Sequence, residues 1–313
     1  MRVIFFGTAE FAVPSLERLA SAGHAILMCV TQPDRPQGRG LTCEPSPVKR
    51  AAVPLGLPVA QPARPHAALF ESLQPEVGVV IAYGQLIRRD LLCLPAHGML
   101  GVHPSLLPRY RGAAPVAWAF LKGETTTGVT IFRLNERLDA GDIIAQRAVA
   151  IGPDEDADAL TRRLAALGAD ELVGTLAALA GRRATFTPQD ESQASLAPKL
   201  TKAEGRIDWQ QPAGAIDRLV RATVPWPGAV TEWEEAPLKI WRVSVGELGS
   251  AARGQPPGTI AAVGPDGVTV VAGAGSAVMI REVQPSGRRR MHVREFLAGH
   301  PLHVGDRFGR GDA

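Results

Sequence analysis

Apolar residues along this chain fall in short continuous runs, separated by stretches with helical spacing. Val3-Ile4-Phe5-Phe6 comes first, then Gly7-Thr8, then apolar positions at Phe11, Leu16 and Leu19. That order predicts a strand, a tight turn and a helix. Residues 25–30 and 77–82 form further runs, and 99–102 and 129–132 shorter ones. Unbroken runs rich in β-branched residues suit strands covered on both faces, as in a parallel sheet. A helix is expected over 156–179, with Leu160, Leu164, Leu167 and Leu172 on its apolar side. The alternation predicts a doubly wound α/β domain over residues 1–187.

Residues 188–206 are polar and irregular and read as a linker. The pattern then changes: residues 207–221 hold one helix, and short β runs follow at 238–245, 258–263, 267–272 and 277–283. Short strands at this spacing predict a small β-barrel over 207–313. No internal repeat or low-complexity tract is seen.

At 313 residues, 45% hydrophobic and 21% charged, the chain is long enough for two globular domains. A net charge of +3 with a pI near 9.0 permits a nucleic-acid partner without demanding one. Cys29, Cys43 and Cys93 have no metal-like spacing and suit free thiols in a reducing cytosol. The first apolar run is too short for a signal peptide, and no window approaches the ~20 apolar residues that span a bilayer. A cytoplasmic protein is expected.

The richest stretch is Gly-Val-His-Pro-Ser-Leu-Leu-Pro-Arg-Tyr-Arg-Gly-Ala-Ala-Pro over 101–115. It sets His103 at the end of an expected strand, where open α/β sheets place ligands. Asp139, in Leu138-Asp139-Ala140-Gly141-Asp142, could orient or charge that imidazole, with Asp142 a competitor. Residues 31–49 form a Pro- and Gly-rich insertion carrying Arg35 and Arg39. Guanidinium groups on such a loop suit phosphates or bases. Arg288-Arg289-Arg290 is either a phosphate contact or a solvated charged turn. The first turn, Gly7 to Phe11, lacks the GxGxxG of dinucleotide sites and reads as a tight strand-to-helix connection.

Together these segments resemble the methionyl-tRNA formyltransferases over nearly the whole chain. The resemblance rests on Thr31 to Pro36 with Gly38-Arg39-Gly40 and Pro45 to Lys49, on Val102 to Pro108 with Arg111 to Pro115, and on Leu138 to Asp142. It continues through Ala197 to Lys202, Gly205 to Trp209, Pro225-Trp226-Pro227-Gly228, Gln284 to Arg288 and Met291. It implies an α/β fold: a Rossmann-like formyltransferase domain with a C-terminal OB-like β-barrel domain that helps hold tRNA. It implies 10-formyltetrahydrofolate as formyl donor, no metal, and an initiator methionyl-tRNA as acceptor. It further implies a monomer with no membrane and no obligate protein partner.

By resemblance, His103 and Asp139 are the catalytic pair. Ser105, Leu106, Leu107 and Pro108 would line the folate site, and the backbone of Ala82, Tyr83 and Gly84 would receive the pterin ring. Arg35, Arg39 and Lys49, with Arg288 and Arg289, would meet tRNA. Gly101 departs from the family, which has an asparagine two residues before the histidine. Loss of one oxyanion donor typically costs about 10²–10³ in rate, so intact binding with slow turnover is expected. Leu41 and Thr42 stand where the family usually has lysines, which flattens the expected salt dependence. Two alternatives remain: a formyltransferase for a sugar amine or glycinamide ribonucleotide, and a catalytically silent homologue that binds tRNA or folate.

Overall fold

The computed structural model describes residues 1–37 and 42–309. They fall into two compact units. One comprises Met1–Pro115, Thr126–Ile151 and Ala159–Pro198; the other comprises Val116–Thr125, Gly152–Asp158 and Lys199–Ala313.

The first unit begins with β1 (Arg2–Gly7), α1 (Val13–Ser21) and β2 (Ala25–Val30). A short hairpin of β3 (Arg35–Gln37) and β4 (Thr42–Glu44) leads to α2 (Pro47–Ala52) and β5 (Val59–Ala60). Then come β6 (Val77–Ile81), α3 (Arg89–Leu92), β7 (Met99–His103) and β8 (Arg111–Gly112); α4 (Pro115–Leu121), next in the chain, belongs from Val116 on to the second unit. The hairpin pair β9 (Thr126–Arg133) and β10 (Ile143–Ala150), the long α5 (Ala157–Ala180) and β11 (Leu196–Ala197) follow.

Seven strands form one sheet in the order β10-β9-β7-β6-β1-β2-β5. Strands β5, β2, β1, β6 and β7 run parallel; β9 and β10 are antiparallel additions at one edge. The period of two along β1 explains its continuous apolar sequence. Val3 and Phe5 enter a core with Leu16, Leu19, Leu172 and Leu176, while Ile4 and Phe6 enter a second core with Phe70, Tyr83, Leu91 and Met99. The chain changes direction across β1, and the strand ends at Gly7, Val30, Ile81 and His103 share the carboxyl edge.

The second unit carries α6 (Ala213–Ala222), β12 (Ala229–Trp233), β13 (Ala236–Gly246), β14 (Ile260–Gly264), β15 (Gly267–Ala272), β16 (Ser276–Pro285), β17 (Met291–His292) and α7 (Val293–Leu297). Its strands form an antiparallel sheet in the order β12-β13-β16-β15-β14, with β17 on β16. Ile216 and Val220 of α6 are buried with Ile240, Val270, Ile280, Trp209 and Phe308 in one core.

The structure refines several of these readings. Within the described part of 31–49, β3 pairs β4, and Ser46 caps α2 by accepting the Lys49 N–H at 3.1 Å, with Pro47 in the first turn. The helix expected within 207–221 is α6; it starts at Ala213, because Pro212 cannot continue a helix that begins before it. Strand β10 was missed, since its half-exposed Ile143–Ala150 lacks a continuous apolar run. The stretch read as a linker holds strand β11 and a buried Gln189. All three cysteines are free, and burial pushes the Cys29 thiol up to about 12.

Candidate active site

His103 ends β7 at the carboxyl edge of the sheet, and it is buried. Its Nε2 lies 2.8 Å from the Tyr110 carbonyl oxygen. A carbonyl only accepts, so Nε2 carries the proton of the neutral ring and Nδ1 carries the lone pair. Nδ1 faces Asp139 Oδ2 at 3.7 Å. That is too long for a direct hydrogen bond and short enough for strong charge coupling or one bridging atom. Asp139, not Asp142, is therefore the carboxylate that faces the imidazole.

The turn that carries Asp139 is tightly specified. Asp139 has φ 48, a left-handed conformation costly for a residue with a side chain. A Cβ at Gly141 would sit 1.6 Å from the Arg133 carbonyl oxygen, so only glycine fits. The Gly112 N–H donates to Asp139 Oδ2 at 2.8 Å. Gln189 Nε2 donates to the carbonyls of Asp139 and Gly141 at 2.8 and 2.7 Å. Arg111 donates to Gln189 Oε1 through Nε at 3.0 Å and Nη2 at 2.6 Å, and both its Nη atoms reach Glu191 at 3.0 Å. Hydrogen bonds from Arg111 and then Arg137 hold the Glu191 carboxyl down at about 2, so it is ionised at neutral pH beside the buried guanidinium.

The Ser105–Pro108 turn is a braced frame. Ser105 is fully buried and donates to the Arg109 carbonyl at 2.6 Å. Thr130 of β9 donates to the Ser105 carbonyl at 2.6 Å and accepts the Leu107 N–H at 3.1 Å. Gln146 of β10 donates to the Leu107 carbonyl at 2.7 Å. Leu107 is buried, whereas Leu106 and Pro108 are half-buried.

Past β6, Ala82 and Gly84 are exposed and Tyr83 is buried. Thr8 and Gln32 both donate to the Tyr83 carbonyl, at 2.9 and 2.7 Å. These bonds bridge the strand ends on either side of β1, where a dinucleotide would sit in a related topology.

Gly101 lies directly opposite Phe132 of β9. A Cβ there would stand 2.5 Å from Phe132 Cε1 and 2.8 Å from Leu134 Cδ1. The aromatic ring fills the volume that a larger residue at 101 would need.

Of the residues expected to meet nucleic acid, Arg35 is exposed and Arg39 lies outside the described residues. Lys49 Nζ binds Asp34 Oδ2 at 2.6 Å and Gln61 Oε1 at 2.7 Å, and Gln61 returns a bond to Asp34 at 2.7 Å. Those two partners, Lys49 first, hold the Asp34 carboxyl below its usual range. Lys49 thus fastens the base of the 31–49 segment. In the second unit Arg288 is exposed, Arg289 pairs with Glu295, and Arg290 pairs with Glu282 while lying 5.5 Å from the Trp241 ring centroid.

Among the described residues no group of three or more His, Cys, Asp or Glu could hold a metal ion, and no helix is long and apolar enough to cross a membrane.

A family model described as formyl transferase matches residues 1–176, and one described as formyl transferase, C-terminal domain, matches 199–301. The methionyl-tRNA formyltransferase of Geobacter metallireducens is 45% identical, with 99% of each chain covered. That of Methylococcus capsulatus is also 45% identical, over 99% of this chain and 100% of its own. The chain belongs to the methionyl-tRNA formyltransferase family. Among solved structures, the sugar 3N-formyl transferase WlaRD, determined with dTDP and 5-N-formyl-THF, aligns with a TM-score of 0.68 at 14% identity, covering 92% of this chain and 99% of its own. HypX from Aquifex aeolicus in complex with tetrahydrofolic acid aligns at 0.62 and 19% identity, over 100% of this chain and 51% of its own. At those identities the likeness shows the fold alone: a Rossmann-like formyltransferase domain followed by a domain with an antiparallel sheet.

Sequence reading missed Gln189, Ser195, Thr130 and Phe132. Gln189 and Ser195 sit in a polar run with no periodic signal. Thr130 and Phe132 lie within an expected strand whose inward-facing roles depend on register.

Proposed function

We propose that the chain transfers the formyl group of 10-formyltetrahydrofolate to the α-amine of methionyl-tRNA, giving formylmethionyl-tRNA. Full-length identity to enzymes of that name supports the acceptor. The observation that carries the chemistry is the approach of His103 Nδ1 to Asp139 Oδ2 at 3.7 Å, beside the carboxyl edge of the sheet.

In this reading the neutral α-amine attacks the formyl carbon, and a C–N bond forms as the carbonyl becomes an oxyanion. The proton released by the amine passes to Nδ1 of His103, whose other nitrogen is committed to Tyr110. The Asp139 carboxylate stabilises the positive charge that develops on the imidazole. Nδ1 then returns a proton to N10 of the folate, the old C–N bond breaks, and the carbonyl re-forms. Every proton is accounted for: the amine loses one and N10 gains one.

The Ser105, Leu106, Leu107 and Pro108 turn would border the folate, and the exposed backbone of Ala82 and Gly84 would meet its pterin ring. On the acceptor side, Arg35, Arg39 and Arg288 would contact phosphates, Arg289 through a charge it shares with Glu295, and Lys49 would act by holding the insertion in place. We take the enzyme to act as a monomer on initiator tRNA.

The test is acceptor choice. The chain is incubated with 10-formyltetrahydrofolate and either methionyl-tRNA or a dTDP-amino sugar, and the formylated product is identified by mass. Formylmethionine released from tRNA is expected. Formylation of the amino sugar alone would replace this reading with the sugar alternative.

A further inference from the structure

Both members of the candidate pair are held by one short segment that carries no recognisable motif. It starts where Thr187 exchanges two backbone hydrogen bonds with Ile143, each 2.8 Å, just after the Asp139 turn. Two residues on, Gln189 is buried with all four of its amide bonds used: two carbonyls of the Asp139 turn on one side, two guanidinium donors of Arg111 on the other. The next residues form a stiff turn, because Asp190 accepts from the Ser192 N–H at 3.0 Å, its hydroxyl at 2.7 Å and Gln193 Nε2 at 2.7 Å. Ser195 then accepts the Tyr110 N–H on its hydroxyl at 2.9 Å, and its carbonyl accepts the Arg111 N–H at 2.8 Å. Strand β11 closes the segment by pairing with β8.

The consequence is a division of labour. Tyr110 has φ 61, and its carbonyl is the group that fixes the protonated nitrogen of His103. Ser195 holds the N–H of that same residue. Gln189 holds the two carbonyls that frame Asp139. One end of the strap therefore sets which imidazole nitrogen is reactive, and the other sets where the carboxylate stands. We infer that Gln189 and Ser195 are positioning residues for formyl transfer, acting through Asp139 and through the Tyr110 carbonyl respectively. The inference rests on the reading of His103 and Asp139 given above.

Gln189→Met keeps the length of the side chain and removes the amide; Ser195→Ala removes one hydroxyl. Misplacing a catalytic group by an ångström can cost about 10² in rate. Gln189→Met is expected to lower kcat about 10–100-fold, and Ser195→Ala about 3–10-fold, with both KM values within about threefold of wild type. Ser195→Thr, which keeps a hydroxyl, is expected to restore the rate. In an Asp139→Asn background, Gln189→Met is expected to cost less than about twofold more, because it acts through the group already removed. Proton–nitrogen NMR of His103 is expected to show the proton on Nε2 in the wild type and a mixture of tautomers in Ser195→Ala.

A folded Gln189→Met with wild-type kcat, a loss confined to KM, or a loss that multiplies in full with Asp139→Asn would overturn the inference for Gln189. If Gln189→Met fails to fold, Ser195→Ala decides: an unchanged rate and an unchanged tautomer overturn the inference. Absence of formyl transfer by the wild type would instead strike the functional reading, while the tautomer measurement would still judge the positioning.

Discussion

Replacing Gly101 with asparagine, the residue the family resemblance places there, is expected to fail on its own. The first side-chain carbon would meet Phe132 Cε1 at 2.5 Å and Leu134 Cδ1 at 2.8 Å. Carbons in contact normally sit about 3.5–4.0 Å apart, so the ring must retreat by roughly 1 Å. Phe132 is only 4% exposed, so the core around it must take up the shift. Overpacking of this kind costs about 1–3 kcal/mol, or about 2–12 °C in Tm for a unit of this size. Gly101→Asn should therefore lose stability without gaining rate.

Phe132→Leu removes the two ring atoms in the way, Cε1 and Cζ, and leaves only the Leu134 methyl, the far end of a flexible side chain, to shift. In the double variant the asparagine has room, on the same face of β7 as His103, two residues on. The stability cycle should show a coupling of at least about 0.5 kcal/mol in favour of the pair. An amide that reaches a developing oxyanion contributes about 2.7–4 kcal/mol to the transition state, roughly 10²–10³ in rate. A single-turnover formylation assay should thus show a large gain for the double variant over the wild type and over either single variant. Two results would refute the reasoning: a rate gain in Gly101→Asn at unchanged Tm, or strictly additive stabilities together with a wild-type rate in the double variant.

Lys49→Met should free Asp34 and loosen the base of the insertion. Loss of those charged hydrogen bonds should raise KM for methionyl-tRNA about fivefold, ~1 kcal/mol, with kcat unchanged; steady-state kinetics check this. Arg35→Ala should lower the slope of log binding constant against log salt by about 0.9 if this exposed guanidinium meets a phosphate, read by filter binding across a salt series. Glu191→Gln should lower Tm at pH 7. Because the Glu191 carboxyl is held down, at about 2 against 4.5, its pairing stabilises the fold above pH 4.5 and fades as pH falls toward 2. The Tm difference between wild type and variant should shrink over that window, which thermal melts at stepped pH would follow.

The parallel core was legible because β1, β2 and β6 are apolar on both faces, and burial on both sides leaves that mark in sequence. His103 and Asp139 were legible because glycine and proline punctuate their turns and fix where strands end. Strand β10 was hidden by its half-exposed face, and Gln189 by a polar neighbourhood that carries no period. The Phe132 ring over Gly101 was hidden for another reason: cross-strand register decides which residue stands opposite which, and the sequence of either strand alone does not contain it. The bonds of Lys49 were hidden as well: it was placed on tRNA by resemblance, and its partners Asp34 and Gln61 lie 15 and 12 residues away along the chain.

The most direct measurement of the central claim is the single-turnover rate of formyl transfer to methionyl-tRNA by the wild type, His103→Gln and Asp139→Asn, with both substrates saturating. The account predicts losses of about 10²–10⁴ for His103→Gln and a large loss for Asp139→Asn, with substrate affinities nearly unchanged. Wild-type turnover in a folded His103→Gln variant would contradict it.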